Sequence, residues 1–167
     1  MILFREAEIQ DTLKYLAYLI SRDFDEVTLL ITLTGGVYTG IDLSKYLTIP
    51  CKLEFVKISS YGNEKEQGII ELKWISADKG KDLGNVIIID DTCDTGNTLD
   101  CLVKYVKNNY TFSNIKTLAL LDKPCKREAM INPDYKGFSM KDEFVYGYGL
   151  DDKGYERNQT CIYTKEN

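Results

Sequence analysis

The chain of 167 residues contains no histidine. An imidazole base, nucleophile or metal ligand is therefore excluded, and acid–base chemistry falls to carboxylates, lysines, tyrosines and thiols. Its five cysteines, Cys51, Cys93, Cys101, Cys125 and Cys161, are odd in number, scattered and never spaced as CxxC. They read as reduced thiols of a cytoplasmic protein, not as a disulfide framework or zinc site. No run of about 18 apolar residues is present to cross a bilayer. The opening Met1-Ile2-Leu3-Phe4-Arg5-Glu6 turns charged at once, so no secretory signal is expected. Basic residues are outnumbered, with a formal net charge of -5 and a pI near 4.9. That balance argues against a nucleic-acid binder working through a broad basic face. A small anionic ligand remains compatible, because it needs only a local set of backbone N–H groups and a few cations.

With 44% hydrophobic residues, the chain is long enough for one core and too short for two ordinary domains. No internal repeat, low-complexity tract or linker divides it, so residues 1–167 are expected to be a single domain. Ile9, Leu13, Leu16 and Ile20 recur at helical spacing and predict an amphipathic helix over 6–21. Strands are expected at 27–31, 51–58, 69–75, 86–89 and 115–121, with helices at 37–47 and 99–106 between them. Short strand-like runs follow at 144–148 and 161–163. Alternation of this kind gives an α/β fold with a parallel sheet and ligands at the carboxyl ends of its strands. The polar, glycine-flanked stretch 60–68 reads as an exposed mobile loop.

The most informative segment runs from Val86 to Leu99, where an apolar strand ends in Asp90-Asp91-Thr92-Cys93-Asp94-Thr95-Gly96-Asn97-Thr98. Backbone N–H groups of Thr95, Gly96, Asn97 and Thr98 at a helix N-terminus, with two threonine hydroxyls, can surround a phosphate. Asp90 and Asp91 would repel phosphate but can hold ribose hydroxyls or a magnesium ion. The plainer reading is a helix capped by Asp94 and two solvated turn aspartates; the full DDxxDTGxT pattern after a strand outweighs it. The segment is neither GxxxxGK[ST] nor GxGxxG.

Ile88 to Thr98 resembles the PRPP-binding motif of type I phosphoribosyltransferases, where PRPP is phosphoribosyl pyrophosphate. Leu120-Leu121-Asp122-Lys123-Pro124, Asp134–Phe138, Glu143–Asp151 and Tyr155-Glu156-Arg157-Asn158 resemble, in order and spacing, the bacterial hypoxanthine-guanine phosphoribosyltransferases. The resemblance implies the type I fold, a central mostly parallel sheet flanked by helices with a small hood. It implies transfer of phosphoribosyl from PRPP to a 6-oxopurine with Mg2+, in a homo-dimer or tetramer. Asp94 would act on the N7 proton of the base, and Asp90 and Asp91 would contact ribose hydroxyls and metal. Lys123 would bind the purine O6, Phe144 would stack on the base and the Val145 backbone would read its edge. Asp151 would bind a second magnesium on the pyrophosphate side and would also count among the purine-binding residues. Thr34, Gly35 and Gly36, with Ser60 and Tyr61 at the start of the mobile loop and Arg157, would bind pyrophosphate.

Each of Lys123, Phe144, Val145 and Arg157 taken singly also reads as an ordinary surface or core residue; their joint order favours the site. Three positions depart from the family pattern. Thr34 stands where Lys is usual, Asn97 where many relatives have Lys, and Asp152 where an aromatic residue commonly follows Asp151. A cis peptide is expected between Leu33 and Thr34. Two other functions fit the motif: a xanthine-preferring transferase, and a non-catalytic PRPP-sensing regulator, against which the acidic balance counts.

Overall fold

The computed structural model describes residues 1–61 and 69–165. Its elements run β1 (Ile2–Phe4), α1 (Glu6–Asp23), β2 (Val27–Leu33), α2 (Gly36–Tyr46), β3 (Cys51–Tyr61), β4 (Ile69–Ile75), β5 (Asn85–Cys93), α3 (Asn97–Asn109), β6 (Asn114–Asp122), β7 (Tyr135–Ser139), β8 (Val145–Tyr146) and β9 (Ile162–Thr164). A single 3-10 turn, Pro124–Lys126, follows β6. Six strands form the main sheet in the order β4-β3-β2-β5-β6-β7. All its neighbours are parallel except β3 and β4, which are antiparallel. A second, antiparallel sheet, β1-β9-β8, forms the small hood.

The periodicity of the sequence explains the layers. Side chains alternate across a strand, so Leu29 and Ile31 of β2 and Ile87 and Ile89 of β5 face one side, where α1 and α2 cover them. Leu30, Val86 and Ile88 face the other side and pack with Leu99, Leu102 and Val106 of α3. β5 is apolar from Val86 to Ile89 because both of its faces are covered there. On α1 the predicted stripe is buried, with Ile9, Leu13, Leu16, Ala17 and Ile20 turned to the sheet. The turn before β5 is made by Gly84, at φ +62°, whose N–H donates to Asp82 Oδ1 at 3.0 Å.

Two boundaries that bear on the site, and two whole strands, differ from expectation. β5 does not stop at Ile89 but continues to Cys93, because β6 pairs alongside it as far as Cys93 opposite Asp122. Asp90 and Asp91 are thus held in a ladder and not in a turn. β3 continues through the backbone of Ser60 and Tyr61, paired to Ile70 and Ile69, so these two residues belong to a strand and not to the loop. The remainder of the expected loop, 62–68, lies outside the described residues. β1 and β7 were not expected: β1 has three residues, too few for periodicity, and its partner β9 lies at the far end of the chain.

Ile88 is fully buried between the sheet and α3. Ile88→Ala should lower unfolding stability by about 2–5 kcal/mol through lost burial and a residual cavity. Urea unfolding of the two proteins measures it, and a loss below about 1 kcal/mol would mean that this layer repacks freely.

Candidate active site

The chain leaves β2 for β3 on one side, while β5 pairs on the other, so the carboxyl ends of β2 and β5 flank a topological switch point. Thr32 near the end of β2 donates through Oγ1 to Asp90 Oδ1 at 2.6 Å. The backbone N–H of Asp91 donates to the same oxygen at 3.1 Å, and that of Thr92 donates to Asp91 Oδ1 at 2.7 Å. Asp90 is buried, and the loss of water around its charged form, together with the neighbouring Asp91 carboxylate, pushes its pKa well up. Asp91 is also pushed up by burial, eased by the Thr92 N–H and by the positive charge of Arg157.

The loop after β2 is fitted to this pair. The Leu33–Thr34 peptide is cis, as expected. A Cβ on Gly35 would overlap the Asp91 carboxylate, and one on Gly36 would crowd the Thr32 hydroxyl. Gly149, at φ +95°, lies so close to the Gly35 carbonyl that a side chain there would collide with it. Thr34 to Gly36, Asp91 and the hood segment around Gly149 therefore meet at one place. Arg157 donates from Nη1 to the Gly149 carbonyl at 2.5 Å and from Nη2 to Asp151 Oδ1 at 2.7 Å. Asp151 Oδ2 accepts the Gly154 N–H at 2.7 Å.

Beyond β5 the chain turns through Asp94 and Thr95 into α3. The residue before the helix is Gly96, at φ +83°, with no side-chain cap, so Asp94 does not cap the helix. Asn97 N–H donates to Thr95 Oγ1 at 3.3 Å. A small open pocket lies over this turn, lined by residues that include Asp90, Asp94, Thr95, Gly96 and Thr98. One Asp94 oxygen, Oδ1, is buried without a hydrogen bond and lies 3.5 Å from Lys123 Nζ. Lys123 is itself buried, and its ammonium donates to the Glu143 carbonyl at 3.0 Å. Its backbone N–H donates to the Cys93 carbonyl at 3.0 Å, which ties the end of β6 to the end of β5.

Sequence reasoning missed the buttress under this loop. Arg127 donates to Asp122 and to Cys93 Sγ, and its side chain touches the space a Gly96 Cβ would fill. The N–H groups of Glu128 and Ala129 donate to the Thr95 carbonyl at 2.9 and 3.0 Å. The basic run Lys123-Pro124-Cys125-Lys126-Arg127 was the available signal, since a buried Asp122 at a strand end requires a cation. Thr32 carried none, because a threonine in an apolar strand is unremarkable.

Phe144 is exposed, and β8 begins at the next residue, Val145, whose side chain enters the core. Asp152 is committed to an ion pair with Lys165 at 2.6 Å. Among the described residues, no three Cys, Asp or Glu side chains converge as a ready metal cage, so Asp151 does not join Asp90 and Asp91 in one cluster. No helix among the described residues is long and apolar enough to cross a membrane.

A phosphate-sized turn at a helix N-terminus, beside paired carboxylates at the switch point of a parallel sheet, is the architecture of a phosphoribosyltransferase. Residues 3–153 match the phosphoribosyl transferase domain family. The chain is 39% identical to the hypoxanthine-guanine phosphoribosyltransferase of Bacillus subtilis over 153 residues, covering 90% of this chain and 84% of that one. It is 36% identical to the same enzyme of Lactococcus lactis, covering 94% and 84%. A crystal structure of a hypoxanthine-guanine phosphoribosyltransferase from Bacillus anthracis superposes with a TM-score of 0.90 at 33% identity, covering 99% and 98%. The chain belongs to the hypoxanthine-guanine phosphoribosyltransferase family.

The raised pKa of Asp90 has a definite sign. Its protonated form is favoured by folding, so that contribution is full below about pH 4, the range of an unfolded carboxyl, and is lost as pH rises through the higher folded value. Asp90→Asn keeps one carbonyl oxygen for Thr32 and Asp91 and carries no charge. It should stabilise the protein at pH 8 by roughly 1–3 kcal/mol and change little at pH 4. Thermal unfolding at both pH values checks this; equal midpoints at pH 8 would show that the pair carries no penalty.

Proposed function

We propose that the chain transfers the phosphoribosyl group of PRPP to hypoxanthine or guanine, releasing pyrophosphate, as a cytoplasmic step of purine salvage. The carrying observation is the pairing of Lys123 with Asp94, a buried ammonium 3.5 Å from a carboxylate oxygen that lacks a hydrogen bond. A 6-oxopurine presents its O6 acceptor and its N7 position side by side on one edge. Lys123 meets O6, and Asp94 takes the hydrogen bond from a proton at N7 as N9 attacks the sugar. Adenine would turn an amine donor toward the ammonium, leaving two donors facing each other.

The other groups follow from that placement. The turn Thr95-Gly96-Asn97-Thr98 receives the 5′-phosphate through its N–H groups, so Asn97 in place of Lys costs little. Asp90 and Asp91 hold the ribose hydroxyls. Thr34, Gly35, Gly36 and Arg157, with Ser60 and Tyr61, receive pyrophosphate. Phe144 stacks on the base, and the Val145 backbone reads its edge. The developing oxocarbenium character of the sugar requires exclusion of water.

Two adjacent carboxyl groups with raised pKa values, Asp90 buried and Asp91 half-buried, at a site for polyphosphate, suit a divalent cation. Magnesium keeps several waters and is held by one or two carboxylates plus phosphate oxygens, so the lack of a three-carboxylate cage is compatible with it. Asp90 and Asp91 would hold it, and Asp151 a second ion. When bound, it neutralises charge on the pyrophosphate leaving group. We take residues 1–167 as one domain, acting on small molecules as a homo-dimer or tetramer, with no nucleic-acid or membrane partner.

Pyrophosphate release from PRPP and Mg2+ with hypoxanthine, guanine, xanthine and adenine tests the reading. Turnover with hypoxanthine or guanine and none with adenine is expected. Turnover with xanthine alone would move the specificity, and silence with all four in a PRPP-binding protein would favour a sensor.

Lys123→Ala should raise the purine KM by about 10- to 100-fold, the loss of one charged hydrogen bond, with the PRPP KM nearly unchanged. Asp94→Asn should lower kcat by about 100-fold or more while PRPP binding persists. Equal loss for purine and PRPP in the first variant, or unchanged turnover in the second, would remove that residue from its role.

A further inference from the structure

The departure at Asp152 has a partner. Its Oδ2 lies 2.6 Å from Lys165 Nζ, and the same ammonium lies over the ring of Phe144, 4.8 Å from the centroid. Three separate parts of the chain fix this arrangement. Asp152 sits in a tight turn, exchanging backbone hydrogen bonds with Tyr155 in both directions at 3.0 Å. Lys165 directly follows β9, where Thr164 Oγ1 donates to the Phe144 carbonyl at 3.1 Å. The Phe144 ring, half exposed, also lies 6.5 Å from the tilted ring of Tyr146. The carboxylate that stands where the family commonly has an aromatic residue is therefore engaged with a cation and is not free beside Asp151.

Resting on the reading of Phe144 as the base-stacking residue, we propose that Lys165, tethered by Asp152, is a positioning residue for the purine. Its ammonium covers one face of the Phe144 ring, and the base takes the opposite face. A cation is attracted to the negative face of an aromatic ring, which holds the ring in one orientation before the base arrives. It also draws π-density toward itself, which makes the far face a better partner for an electron-rich heterocycle. An exposed ion pair contributes little to folding stability, so this pair acts on binding and not on the fold.

The test compares Lys165→Met, Lys165→Arg, Asp152→Asn and Phe144→Ala by KM for hypoxanthine or guanine, KM for PRPP, kcat and thermal midpoint. Lys165→Met should raise the purine KM by roughly three- to tenfold, the range of one such contact, with PRPP KM and midpoint unchanged. Lys165→Arg should restore the purine KM. Asp152→Asn should move it in the same direction by a smaller factor, because the ammonium is kept but untethered. An unchanged purine KM in Lys165→Met, or an equal rise for PRPP, would overturn the proposal. So would a fall in purine KM, which would mean that Lys165 occupies the face the base needs. Phe144→Ala separates this from the underlying reading. If it weakens the purine while Lys165→Met does not, only the Lys165 role fails; if it leaves the purine unaffected, the stacking role of Phe144 fails as well.

Discussion

A pair of adjacent carboxyl groups, the buried Asp90 and the half-buried Asp91 at the end of β5, constrains the rest of the molecule, because ionising both would set like charges side by side with little water between them. Leaving them unsupported would push the strand end apart, and each neighbouring feature answers that pressure. Thr32 reaches across from β2 to donate to Asp90, and backbone N–H groups of Asp91 and Thr92 donate along the strand. Gly35 lacks a side chain, which is what allows the loop after β2 to lie against Asp91. Arg157 brings the hood's positive charge toward the same carboxylate. An active site whose resting state is electrostatically unsatisfied gains most from a ligand that brings compensating charge and hydrogen-bond donors, so binding energy is concentrated where the chemistry occurs.

A second buried carboxylate shows the opposite solution. Asp122 ends β6 fully buried, but Arg127 returns from the following turn to pair with it, and Lys136 lies 3.4 Å from its other oxygen. This pair is satisfied within the protein. Because Arg127 also contacts Cys93 and the space beside Gly96, while Glu128 and Ala129 hold the Thr95 carbonyl, the loop over α3 rests on a fixed base. Neighbouring strand ends thus carry one charge left open and one closed, and they differ because only one was supplied with a cation from its own turn.

Much of this was legible in the sequence because it is local. The apolar stripe of α1, the all-apolar run of β5 and the glycines before α2 each state their own conformation through spacing. The DDxxDTGxT segment announced its chemistry through residue types that have few other uses together. What escaped depended on partners far away in the chain. β1 takes its identity from β9, and the continuation of β5 past Ile89 comes from β6 pairing beside two aspartates that in isolation favour a turn. Asp152 showed in the sequence only as a departure from an aromatic position, and its engagement by Lys165 depends on a hood fold that no local pattern encodes.

The hood joins residues 2–4 to residues 162–164, and Phe144 and Val145 stand next to and within that small sheet. During synthesis every strand of the main sheet has emerged before β9 exists, so the phosphate turn and its carboxylates can assemble on a chain that has no finished platform for a heterocycle. The base half of the pocket, built on contacts of the greatest sequence separation, is the slowest to close.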